Sequence, residues 1–296
     1  DVADLEVLEA AAEGFAIPLD AEVLDVLDHR TPWTGCGFAG QAACIAARNP
    51  VDNALARAEK RRLVWPGRRG TEGREMAGPL EGVRVVELTS VVLGPWACQI
   101  LADMGADVVK IEAPAGDSNR QLGAFRHPGM AALYLTCNRN KRSIVLDVKQ
   151  PEAKQAVLDL VKNADVFVHN NRPQVMTKLG LDYEALRAVN PRIIYCGSYG
   201  YARKGPYGAK GALDDSIQSI SGIAMLNKLV LGEPRYLPTV VADKTTAITV
   251  VYGVLAALYH RERTGQGQEI EVPMFETMVS FVMAEHLWGM TFEPPL

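Results

Sequence analysis

Several features that would mark a function at once are missing from this chain. There is no basic excess: 31 Lys and Arg stand against 35 Asp and Glu, a formal charge of −4. That argues against a nucleic-acid platform or an anionic-membrane binder, while leaving room for a local basic pocket facing an acidic small molecule. Cysteine is scarce, and positions 36, 44, 98, 137 and 196 form no CxxC pair. An odd number of scattered thiols points to buried, reduced side chains, a cytoplasmic setting and no zinc site. In "TSVVLGPWACQILADMGADVVKIE" (89–112) GxGxxG and GxxxxGK[ST] are both absent, so neither a dinucleotide fingerprint nor a Walker loop is supported there. GxSxG is absent too, and His29, His127, His169, His260 and His286 never pair at ligand spacing. Metal-assisted hydrolysis and serine-triad chemistry therefore lack support. The longest apolar run, Ile248 to Tyr259, is short for a bilayer span and reads as a buried core helix. The acidic opening "DVADLEVLEA" does not resemble a secretory signal.

What is present is ordinary globular composition, 48% hydrophobic and 22% charged, over 296 residues. That length suits one large domain or two modest ones. The pattern divides near Met76. Residues 1–75 combine helical spacing with a basic, Gly/Pro-punctuated linker, "RAEKRRLVWPGRRGTEGRE". Residues 76–237 then alternate strand-like and helical segments: "VRVVEL" (83–88), "PWACQILADMGA", "DVVKIE" (107–112), "RSIVLDV" (142–148), "PEAKQAVLDLVKNA", "DVFVHN" (165–170), "YEALRAVN" and "RIIYCGSYG" (192–200). This alternation predicts βαβ units and an α/β fold with a doubly wound, mostly parallel, Rossmann-like sheet. Residues 238–296 change rhythm to a long helix, a short strand "GQEIEVPM" and a further helix, the expected start of a second, smaller domain. Gly265 is placed as the left-handed residue past the long helix.

Within this pattern the helix expected to start at Pro95 offers free N–H groups to an anion, or is a plain βαβ turn. Cations recur just after the strands: Lys110, Arg139, Lys141, Arg142, Lys149, Arg172 and Lys178. In a doubly wound sheet ligands sit outside the carboxyl ends of the strands, so some of these converge on a phosphorylated ligand or else simply face solvent. His169 ends a strand beside "NNRP". Two acidic sites stand at expected helix starts: Asp214 and Asp215 in "GALDDSIQSISG", and Asp243 in "TVVADKTTA". Aspartate is a preferred helix cap. It is also a carboxylate nucleophile when a second carboxyl group lies nearby to hold or orient a proton. The residues alone leave both roles open.

Taken together, "GPLEGVRVVEL", "GPWACQILADMGADVVKIE", "NKRSIVLDVKQPEAK", "DVFVHNNRP", "LGLDYEALRAVNPRIIY", "GPYG", "DDSIQSISG", "VADKTTA" and "LYHRERTGQGQEIEVPMFE" resemble the class III CoA-transferase family, the CaiB/BaiF type. The resemblance runs over about residues 78–290. It implies an acyl-CoA:carboxylate CoA-transferase with no tightly bound cofactor and no metal, coenzyme A entering as substrate. Its partners would be an acyl-CoA donor and a carboxylic acid acceptor, and its form a homodimer of interlocked chains. By resemblance Asp243 is the nucleophile, passing through an aspartyl anhydride and an aspartyl-CoA thioester, and Asp214 assists. The implied CoA-binding positions are Val92, Leu93, Leu146, Lys149, Asn170, Arg172 and Lys178, with Arg139 and Arg142 as weaker candidates.

The chain also departs from the family. Residues 1–75 carry none of its motifs and Met76 reads as a natural start; after "TFEPPL" members usually continue. His169 and Asn171 stand where Glu and Phe are common, which bears on substrate fit. Two rivals remain. A 2-methylacyl-CoA racemase of the same family usually carries "GHD" where this chain has "ALDD", which places Leu213 at the histidine position. The other rival is a non-catalytic CoA-binding subunit.

Overall fold

The computed structural model describes residues 78–296, and the leader and linker expected over 1–75 lie outside the described residues. Six strands form one sheet: β1 (Arg84–Leu88), β2 (Asp107–Glu112), β3 (Lys141–Val145), β4 (Val166–His169), β5 (Ile194–Gly197) and β6 (Gln268–Glu271). Their order is β3-β2-β1-β4-β5-β6, and every pairing is parallel. The central strands are apolar runs without alternation because helices cover both faces. All four residues of β4 and of β5 are buried.

Nine α-helices occur among the described residues. They are α1 (Leu93–Asp103), α2 (Ala132–Asn138), α3 (Pro151–Val161), α4 (Pro173–Leu179), α5 (Tyr183–Val189), α6 (Asp214–Ile220), α7 (Ile223–Leu231), α8 (Val241–Thr264) and α9 (Met274–His286). One core packs side chains from α1, α6, α8 and α9 against Val85, Val108, Val166, Val168 and Ile194. The other packs α3, α4 and α5 against Val86, Val109, Phe167 and Tyr195. Successive strand residues thus feed opposite cores, as the pleat requires. Helix α1 opens two residues before the proline expected to start it. Pro95 is tolerated there because the first four helical N–H groups lack internal partners in any case.

The stretch after Pro238 supplies α8, β6 and α9, and β6 forms an edge of the sheet. Helix α8 extends past the apolar run at both ends, to 24 residues, and by length and composition alone could cross a membrane. It buries Ala242, Thr246, Ala247, Val250, Val251, Val254 and Ala257, a stripe at helical spacing. Past its end Gly265 is left-handed, φ 75°, and donates its N–H to Arg261. The nearly buried Arg261 pairs with Asp165 Oδ1 at 2.9 Å, and Asp165 Oδ2 accepts the N–H of Arg84. These contacts pin the helix's C-terminal end beside the amino ends of β1 and β4. Its N-terminus, carrying Asp243, therefore reaches the opposite end of the sheet, where the strands finish.

Candidate active site

The strand order reverses between β1 and β4, the switch point at which doubly wound sheets bind ligands. A cleft of about 190 Å³ opens there. It is lined by Ser90, Val91 and Leu93 after β1, Asn170 and Arg172 after β4, and Ser198 to Gly200 after β5. Gly211 to Asp214, Asp243 and Met274 complete the lining. The residues past β1 and β4 are stitched together across the switch point. Asn170 accepts the Ser90 N–H at 3.1 Å and donates to the Ser90 carbonyl at 2.7 Å. Asn171 donates to the Leu88 carbonyl.

Asp243 is not the cap of its helix. It stands three residues past the N-cap Val240, and its own N–H is received by Asp214 Oδ1 at 2.9 Å. Asp214 thus supplies from α6 the acceptor that the first turn of α8 lacks. The second oxygen of Asp214 accepts from Gln218 Nε2 at 2.6 Å, and Gln218 Oε1 accepts the Leu237 N–H. Asp214 is almost wholly buried and held at both oxygens, whereas Asp243 has no ion pair among the described residues and lines the cleft. Burial, and then the neighbouring Asp214, raise the Asp243 pKa to about 7. Near neutrality this carboxyl group is present in both forms.

Of the positions implied for coenzyme A, the cleft gathers Leu93, Asn170 and Arg172. Val92 is buried directly beside it as the N-cap of α1. Leu146 packs against the second core. Lys149 and Lys178 are exposed and lie outside the cleft lining. Arg139 pairs with Asp103 and Arg142 with Asp107 on the surface. Lys110 and Lys141, expected among the cations just after strands, instead lie within β2 and at the start of β3, with interior side chains. Lys141 Nζ lies 2.8 Å from Glu87 Oε2, and Lys110 Nζ lies 3.2 Å from Glu87 Oε1 and 3.0 Å from Asp117 Oδ2.

His169 faces a different cavity, of about 270 Å³, with Tyr183, Tyr195, Tyr199, Arg203 and Glu269. Burial pushes its pKa down to about 3, so the imidazole is neutral. The sequence reading missed Ser90, Ser198, Tyr199 and Met274 as cleft walls, because tertiary packing brings them together and no spacing marks them.

A family model described as CoA-transferase family III matches residues 80–294. The chain is 40% identical over 226 residues to the succinate–glutarate CoA-transferase of Agrobacterium fabrum, covering 74% of this chain and 56% of that protein. It is 40% identical over 222 residues to the acetyl-CoA:oxalate CoA-transferase of Acetobacter aceti, covering 74% and 57%. The crystal structure of a CAIB/BAIF family protein from Brucella suis superposes with a TM-score of 0.70 at 37% identity, covering 74% of this chain and 59% of that one. The chain thus spans little more than half the length of the curated relatives it matches.

Proposed function

The chain belongs to CoA-transferase family III, and from that premise we propose that it carries the nucleophilic half-site of an acyl-CoA:carboxylate CoA-transferase. The observation that carries this reading is Asp243, a carboxyl group of raised pKa, beside the carboxylate of Asp214, lining a cleft at the sheet's switch point. A carboxylate is a weak nucleophile in water, and partial burial strips away the hydration that weakens it.

In the proposed reaction an Asp243 oxygen attacks the thioester carbonyl of the donor. The new C–O bond replaces the C–S bond, giving an acyl-aspartyl anhydride and CoA thiolate. The thiolate then attacks the aspartyl carbonyl, which releases the donor acid and leaves an aspartyl-CoA thioester. The acceptor carboxylate displaces the thiolate from that thioester to form a second anhydride. Attack of the thiolate on the acceptor's carbonyl yields the new acyl-CoA and restores the Asp243 carboxylate. Asp214 has a positioning role, because it binds the backbone of the nucleophile itself. The names of both curated relatives specify small carboxylic acids, succinate and glutarate in one and oxalate in the other. A cleft of about 190 Å³ with Arg172 in its lining supports an acceptor of that class. The family resemblance further supports a homodimer, with CoA bound only as substrate, and the scattered cysteines support a cytoplasmic setting.

The test is transfer of CoA from acetyl-CoA to a panel of small dicarboxylates by wild type and Asp243→Ala. Transfer by the wild type alone is the expected result. Equal transfer by the variant overturns the mechanism, and acetyl-CoA binding without transfer by either protein points to a binding subunit. Deuterium washout at Cα of a branched acyl-CoA, with no acceptor present, would point to the racemase.

A further inference from the structure

The turn that carries β1 into the cleft is held in an unfavourable shape by side chains from other elements. Val91 has φ 69°, in the left-handed region, where a β-branched residue is a true outlier and persists only if its surroundings impose it. Its N–H is received by Asp117 Oδ1 at 3.4 Å, and its carbonyl accepts Asn119 Nδ2 at 2.5 Å. One residue earlier, both backbone groups of Ser90 are bound by Asn170. One residue earlier still, the Thr89 carbonyl accepts from Lys110 Nζ at 2.8 Å. Five consecutive backbone polar groups, from the Thr89 carbonyl to the Val91 carbonyl, are therefore bound by side chains.

The clamp has its own foundation. Lys110 is 1% exposed and bridges Glu87, Thr89 and Asp117. Asp117 Oδ1 also accepts the N–H of Asn119, fixing the loop after β2 from which both clamping residues project. On the other side of the turn, a Cβ on Gly94 would lie 2.4 Å from Thr89 Cγ2, so the backbone folds back as tightly as glycine permits. None of this serves core packing at Val91, which is 40% exposed and lines the cleft that Asp243 also lines.

We propose that Asn119, with Asp117, is a positioning residue for acyl transfer: it imposes the left-handed conformation on Val91 and so fixes one part of the cleft that Asp243 also lines. This inference rests on the proposed transferase reading. It places the determinant of substrate alignment in the loop after β2, which itself contributes nothing to the cleft lining.

The experiment measures acetyl-CoA affinity by calorimetry and, separately, the rate of Asp243 acylation at saturating acetyl-CoA. Asn119→Ala should slow acylation roughly tenfold while changing affinity by less than about threefold, because misalignment affects the reacting geometry more than binding. Asn119→Asp, nearly isosteric, sets an acceptor against the Val91 carbonyl and should slow the step as well. Glycine adopts φ 69° without a clamp, so Val91→Gly added to Asn119→Ala should restore most of the lost rate. A purely structural role would lower thermal stability and leave the rate alone. Wild-type acylation in both Asn119 variants, or a slowing that Val91→Gly does not relieve, overturns the proposal. A wild-type chain that is never acylated overturns the transferase reading instead, and this inference with it.

Discussion

Two acid clusters, one buried around Glu87 and one half-buried around Asp243, are treated in opposite ways. At Glu87 the carboxylate meets two ammonium groups, Lys110 and Lys141, together with the Thr89 hydroxyl. Burial alone would raise its pKa, but those partners more than offset it and hold Glu87 below the usual carboxylate range. At Asp243 the neighbour is another carboxylate, and burial and Asp214 act in the same direction, upward. One cluster is neutralised within itself and serves the fold. The other has no ion-pair partner for Asp243 among the described residues and borders a cleft, the condition expected of a reacting group rather than a structural one.

The contrast can be broken most severely from the structural side. Lys110→Met removes the cation common to Glu87 and Asp117 and leaves both acids short of a partner in the interior. It should cost about 3–5 kcal/mol in urea unfolding, since losing one member of a buried pair exposes the other's desolvation penalty. A loss under about 1 kcal/mol would mean that the cluster is not the support described.

The reverse is expected at Asp243. Its pKa in the folded chain, about 7, lies above its ordinary value of 3.8. The folded state therefore binds more protons than the unfolded one between these values, and stability falls as pH rises through that window. Above pH 7 the whole penalty is present. Asp243→Asn should then be more stable than wild type by about 2 kcal/mol at pH 8, allowing for the solvent that reaches this half-buried group. The difference should vanish below about pH 4. Thermal melts across pH would show it, and a variant less stable than wild type at pH 8 would contradict the assigned environment.

Much of the fold was legible in the sequence because parallel βαβ units announce themselves by alternation. "DVVKIE" coincides with β2 residue for residue. Strand ends were less legible, because partners set them. β3 stops at Val145 where β2 runs out at Glu112, short of the expected Val148. β5 keeps only Ile194 to Gly197 of the longer expected run, since its neighbours β4 and β6 each offer four residues. At the site, both aspartates were legible as helix starts. That Asp214 binds the N–H of Asp243 across 29 residues was not, since it depends on how α6 packs on α8. The cations misled for a related reason. Lys110 and Glu87 sit at paired positions on β2 and β1, a register visible only once the strands are aligned. That pairing turns a presumed ligand contact into an interior salt bridge.

The most direct test is chemical trapping at Asp243. Wild-type chain incubated with acetyl-CoA and hydroxylamine, then digested and weighed, should carry a hydroxamate on the peptide containing Asp243, formed faster as pH rises through about 7. Asp243→Asn should carry none. An unmodified Asp243 peptide in wild-type chain shown to turn over acyl-CoA would contradict the account.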